Sequence, residues 1–130
     1  HMPRDPLILI VDDTSDAREI FEQYLAFKGY RVLVAKSGAE AVAMARAYQP
    51  ALILMDIRMP EMTGTEAMKL RRRDPAHNKT PIVALTAHAL VDERAAALAA
   101  GFDEVITKPV DLDALVVAVQ RLVSRTPETN

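Results

Sequence analysis

Short unbroken apolar runs alternate along the chain with longer stretches in which apolar residues recur every three or four positions. Leu7-Ile8-Leu9-Ile10-Val11 is the first run. It has no polar alternate, which marks a strand covered on both faces. The next segment repeats at helical spacing, with Ala17, Ile20, Phe21, Tyr24 and Leu25 on one stripe, and Lys28-Gly29 supplies a stop. Val32–Ala35 predicts a second strand. A helix from Gly38 to Tyr48 follows, with Ala41, Met44, Ala45 and Tyr48 inward and Pro50 just beyond it, and Leu52–Met55 predicts the third strand.

The loop after Asp56 holds Pro60 and Gly64, and a short helix runs from it toward Arg73. Asp74-Pro75 breaks that helix, and the polar stretch to Lys79 is the loosest connection. Ile82–Leu85 predicts strand four. An alanine-rich helix follows, with Val91, Ala95 and Leu98 on one face and Gly101 as its stop, then a short strand at Val105-Ile106. The last helix turns Leu112, Leu115, Val116, Val119 and Val123 inward, and Ser124–Asn130 is expected to be a frayed polar tail. Five strands and five helices in alternation imply an α/β fold: one doubly wound parallel sheet, helices on both faces, right-handed crossovers. No repeat or second domain interrupts the pattern.

A length of 130 residues suits one domain with one core. The expected organisation is a lead over residues 1–6, a domain over 7–123 and a tail over 124–130. His1 reads as a vector residue and Met2 as a native start, which favours a stand-alone protein, although an N-terminal domain cut from a longer protein would look identical. A formal net charge of −2 gives no field that would draw nucleic acid or an anionic membrane. The one basic cluster, Arg71-Arg72-Arg73, reads as a solvated helix end facing the negative pole of the helix dipole. The absence of cysteine removes disulfides, thiolate chemistry and Cys-based zinc sites, and fits a cytoplasmic setting. No apolar run approaches the roughly 20 residues of a membrane-spanning helix.

The chemistry-bearing residues stand where strands stop. Asp12 and Asp13 follow the first strand, Asp56 the third, Thr86 the fourth and Lys108-Pro109 the fifth. Parallel sheets bring these ends to one edge, where α/β domains bind ligands. Each residue alone has an ordinary reading: a helix-capping acid, a strand-end threonine, a surface lysine before a turn. Three carboxylates gathered on one edge repel one another unless a divalent cation joins them. A hard ion such as Mg²⁺ accepts all-oxygen ligation and is often found beside phosphoryl groups. A lysine there supplies positive charge for a developing phosphoryl group. The set points to a Mg²⁺-dependent phosphoryl site.

In order and spacing, Val11-Asp12-Asp13, Leu54-Met55-Asp56-Ile57-Arg58-Met59-Pro60-Glu61-Met62-Thr63-Gly64, Ala84-Leu85-Thr86-Ala87 and Ile106-Thr107-Lys108-Pro109 resemble the response-regulator receiver domain of two-component signalling. The likeness runs from Leu7 to Val123. It implies the flavodoxin-like strand order 2-1-3-4-5. It also implies that Asp56 is the phosphoacceptor, and that Asp13, Asp56 and the backbone carbonyl of Arg58 ligate Mg²⁺ (or Mn²⁺), with Asp12 acting through water. Lys108 would pair with the phosphoryl group, Thr86 would move to bind it, and Ala87 would leave room for its entry. The Lys108–Pro109 bond is implied to be cis. Two positions depart from the pattern. Val105 stands where the family usually has an aromatic ring, so a swinging-ring mechanism cannot operate. Thr63 replaces a common acid and is expected to alter loop hydrogen bonding more than chemistry.

The function so implied is that of a signalling switch rather than an enzyme. A sensor histidine kinase or histidine phosphotransfer protein supplies the phosphoryl group. A downstream protein then reads the face of helix four, strand five and helix five, with no direct nucleic-acid or membrane partner. Arg58 and His88 are expected to lean over the acyl phosphate and prolong its life, the opposing reading being that His88 orients the attacking water and speeds hydrolysis. Two other readings share some residues. An aspartyl-nucleophile phosphohydrolase would carry its nucleophile after strand one with a second acid two positions on, where this chain has Thr14. A pseudo-receiver interaction module would not need the full acidic set.

Overall fold

A computed structural model describes residues 6–59, 61–73, 79–87 and 91–125. The elements are β1 (Leu7–Val11), α1 (Ser15–Phe27), β2 (Arg31–Ala35), α2 (Gly38–Tyr48), β3 (Leu52–Asp56), α3 (Gly64–Arg72), β4 (Ile82–Thr86), α4 (Val91–Ala100), β5 (Glu104–Thr107) and α5 (Leu112–Arg125). Residues 1–5, Pro60, the Asp74-Pro75 break, His88 and the loop to Leu90, and the tail from 126 lie outside the described residues.

The strands pair in parallel in the order β2-β1-β3-β4-β5, as the family resemblance implied. Every residue of β3 and β4 is buried, which explains their unbroken apolar runs. Successive side chains point to opposite faces. Leu9, Val11, Ile53, Met55, Ile82 and Ala84 join a core with α2, α3 and α4. Ile8, Ile10, Leu52, Leu54, Val83 and Leu85 join a second core with α1 and α5.

The helices are held unequally. Helix α5 buries Leu115, Val116, Ala118, Val119 and Leu122, whereas α4 buries only Ala97. A fully buried leucine contributes about 1.5–3 kcal/mol and each methylene-sized increment about 0.8 kcal/mol. The anchorage of α4 is therefore the weaker by several kcal/mol.

Four readings of the pattern need correction. Val91 and Leu98, expected inward on α4, are 79% and 46% exposed, and Ala95 is exposed too. The inward residue is Ala97, a choice that alanine-rich periodicity leaves open. On α1, Ile20 is exposed while Phe21 and Leu25 are buried. At about 100° per residue, Ile20 lies roughly 120° round the helix from the centre of that pair. On α2, Tyr48 is exposed at the C-terminal end. The arginine cluster is not a solvated helix end, since Arg71 is 3% exposed. Arg72 donates to the carbonyls of Thr80 (2.7 Å) and Gly101 (3.0 Å) and to Asp103 (2.8 Å). It ties the end of α3 to the start of β4 and the end of α4.

Candidate functional site

Register brings the acids together. Val11 lies opposite Met55, so the residues after them, Asp12 and Asp56, leave adjacent strand ends. Thr86 lies opposite Thr107, which places Lys108 one step beyond the same edge. The Lys108 amide donates to the Thr86 carbonyl at 2.7 Å, and the Lys108–Pro109 peptide is cis.

Asp12 is fully buried and engaged at every polar atom. Its amide donates to the Ala35 carbonyl at 3.2 Å. Its Oδ1 accepts from the Thr14 amide at 2.9 Å, its Oδ2 lies 3.3 Å from Lys108 Nζ, and its carbonyl accepts from Arg18 Nη1 at 2.7 Å. Asp13, by contrast, is exposed. Carboxylate oxygens of Asp12, Asp13 and Asp56 all lie within 4.8 Å of one another.

Asp56 is 6% exposed, with Oδ1 accepting from the Arg58 amide at 3.3 Å and lying 3.6 Å from Lys108 Nζ. Burial pushes its carboxyl above the usual 3.8; Lys108 and the Arg58 amide pull it back, while Asp12 and Asp13 push it further up. Thr86 is buried at the end of β4 and Ala87 is exposed beside it. Val105 is buried in the same core as Ala97. Arg58 is exposed, whereas His88 lies outside the described residues.

The loop between β3 and α3 is fixed from two sides. Thr63 caps α3: its Oγ1 accepts from the Glu66 amide at 3.1 Å, and Glu66 Oε1 accepts from the Thr63 amide at 2.9 Å. Gly64 donates to the Ile57 carbonyl at 2.8 Å and packs against the backbone of Asp56 and Ile57.

Sequence reasoning missed Arg18. Helical Cβ atoms tilt toward the N-terminus, so a long donor in the first turn reaches back to the preceding loop. An arginine six positions after Asp12 was the available signal.

The site can gather a hard cation. Three carboxylates against one ammonium leave two negative charges among oxygen donors, which suits a divalent ion in both charge and ligand type. No helix among the described residues is long and apolar enough to cross a membrane.

Residues 8–120 match the response regulator receiver domain family. The chain is 38% identical over 125 residues to the transcriptional regulatory protein PrrA of Mycobacterium tuberculosis, covering 95% of this chain and 52% of that protein. It is 40% identical over 114 residues to an uncharacterized 14.6 kDa protein from the sodA1 3′ region of Leptolyngbya boryana, covering 88% and 87%. The receiver domain of the Francisella response regulator 1452 superposes with a TM-score of 0.89 at 27% identity, covering 95% of this chain and all of that one. The chain spans about half the length of PrrA and of several other curated relatives. Receiver domains of response regulators are signalling switches, and the chain belongs to that family.

Proposed function

We propose that this chain accepts a phosphoryl group on Asp56 from a sensor histidine kinase or a histidine phosphotransfer protein. The phosphorylated form then switches a protein-binding surface on α4, β5 and α5. The carrying observation is the gathering of Asp12, Asp13 and Asp56 within 4.8 Å, with Lys108 reaching Asp12 and Asp56. Asp13, Asp56, the Arg58 carbonyl and, through water, Asp12 would hold Mg²⁺ or Mn²⁺. Bound there, the ion supplies positive charge against the phosphoryl oxygens and relieves repulsion among the carboxylates.

An Asp56 oxygen attacks phosphorus in line; the O–P bond forms as the bond to the donor imidazole nitrogen breaks, and the imidazole leaves. Lys108 neutralises charge on the equatorial oxygens, and the Thr86 hydroxyl donates to one of them. Little covalent chemistry is asked of the protein, so positioning and electrostatics dominate.

The switch is read as a movement of α4. Val105 is β-branched, with little rotamer freedom, so a change at Thr86 passes through backbone and helix packing. A groove of about 380 Å³, lined in part by Ile57, Thr86, Ala96, Ala97 and Ala100, separates α4 from the β3 end. It gives the weakly anchored helix room to close. Backbone amide shifts with Mg²⁺ and beryllofluoride test this reading. Binding should shift Val91–Ala100 and Val105 as well as the loops around Asp13 and Asp56. Shifts confined to those loops would contradict the output surface, and an absence of binding would favour a pseudo-receiver.

A further inference from the structure

The turn that presents Asp13 lacks the usual helix cap. Thr14 occupies the N-cap position of α1, yet its side chain makes no capping hydrogen bond. The turn is held by the Thr14 amide, which donates to Asp12 Oδ1 at 2.9 Å, and by Arg18, whose Nη1 donates to the Asp12 carbonyl at 2.7 Å. Every other polar atom of Asp12 is already engaged by Ala35, Thr14 or Lys108. The Arg18 contact therefore completes a fully buried residue and adds the one constraint supplied from α1.

That constraint acts on the neighbouring ligand. The peptide between Asp12 and Asp13 is planar, so fixing the Asp12 carbonyl also fixes the direction of the Asp13 amide and Cα. The Asp13 carboxylate is exposed, and its position rests on that backbone. We infer that Arg18 is a positioning residue for this site: it sets the Asp12–Asp13 peptide so that Asp13 faces the cation alongside Asp56. The inference rests on the proposed Mg²⁺-dependent reading of the site.

Sign separates positioning from charge. A guanidinium on the Asp12 carbonyl, beside the acidic site, disfavours a second cation, so loss of its charge alone would tighten Mg²⁺ binding. Loss of an outer partner that orients a ligand weakens metal affinity, typically by about 10–100-fold. Arg18→Met removes charge and donor while keeping the aliphatic stem and a good helix former, so the fold should survive. Arg18→Lys keeps both a charge and a donor.

The test is Mg²⁺ titration followed by amide shifts, with no phosphodonor present and metal-free spectra as the check on folding. Arg18→Met should raise the Mg²⁺ dissociation constant by about tenfold, the lower end of the outer-partner range. Arg18→Lys should recover most of that loss. Unchanged or tighter binding in Arg18→Met overturns the positioning role while leaving the site reading intact. Failure of the parent protein to bind Mg²⁺ overturns the site reading itself.

Discussion

Gly64 sits so close over the end of β3 that a Cβ at its position would fall 2.2 Å from the Asp56 carbonyl oxygen. The nearest atoms are backbone, so no side-chain rotation can relieve the clash. Gly64→Ala should cost about 2–3 kcal/mol, in the range of overpacked interiors. It should also weaken Mg²⁺ binding, because the displaced strand end carries Asp56. Urea unfolding and Mg²⁺ titration of the same sample check both. Native stability with native affinity would show that the β3–α3 loop does not position Asp56.

The Asp56 carboxyl is held above its ordinary value, chiefly by burial. Such a group favours the fold while protonated, and that contribution is fully present below its unfolded value of 3.8. It is lost as pH rises through the raised folded value. Asp56→Asn removes the penalty, so at neutral pH the metal-free variant should melt about 2–5 °C above the parent. The difference should vanish below about pH 4 and shrink when Mg²⁺ stabilises the parent. Thermal melts across pH, with and without Mg²⁺, check the sign.

Lys108 is the cation that contacts both Asp12 and Asp56. Its removal leaves the fully buried Asp12 carboxylate without that partner. Lys108→Ala should lose about 2–4 kcal/mol when metal-free, somewhat less than for a fully buried pair because the lysine is partly exposed. The variant should remain folded and bind Mg²⁺ at least as tightly as the parent, regaining stability on binding. Its α4 amides should respond poorly to beryllofluoride. A full α4 response would remove Lys108 from the switching mechanism.

The fold was legible because β1, β3 and β4 are covered on both faces and read as unbroken runs, while Gly29 and Gly101 stop helices at positive φ. The gathering of Asp12, Asp13 and Asp56 was legible because parallel strands end on one edge. The inward face of α4 was not legible, since five alanines spread small apolar residues round the helix and only packing selects Ala97. Arg72 was misread because a run of charge looks the same whether its heads meet water or backbone carbonyls. The Arg18 contact was harder to read because its partner is a main-chain carbonyl, so only the six-residue spacing from Asp12 pointed to it.

Arg72 links Thr80, Gly101 and Asp103 through a charged donor. Hydrogen bonds of this kind contribute about 1.5–3 kcal/mol each where partners are buried. Part exposure here sets the expectation for Arg72→Met at about 2 kcal/mol. The loss should appear as faster amide exchange at the C-terminal end of α4 and the start of β4. Unchanged exchange there would show that Met68, which packs against Gly101, holds the end of α4 without the arginine.

The most direct measurement is intact mass after incubation with acetyl phosphate. With Mg²⁺ present, the protein should gain a single phosphoryl group, and it should gain none after chelation. Asp56→Asn should remain unlabelled under the same conditions. Full labelling of Asp56→Asn, or labelling of the parent that ignores Mg²⁺, would contradict phosphoryl acceptance on Asp56.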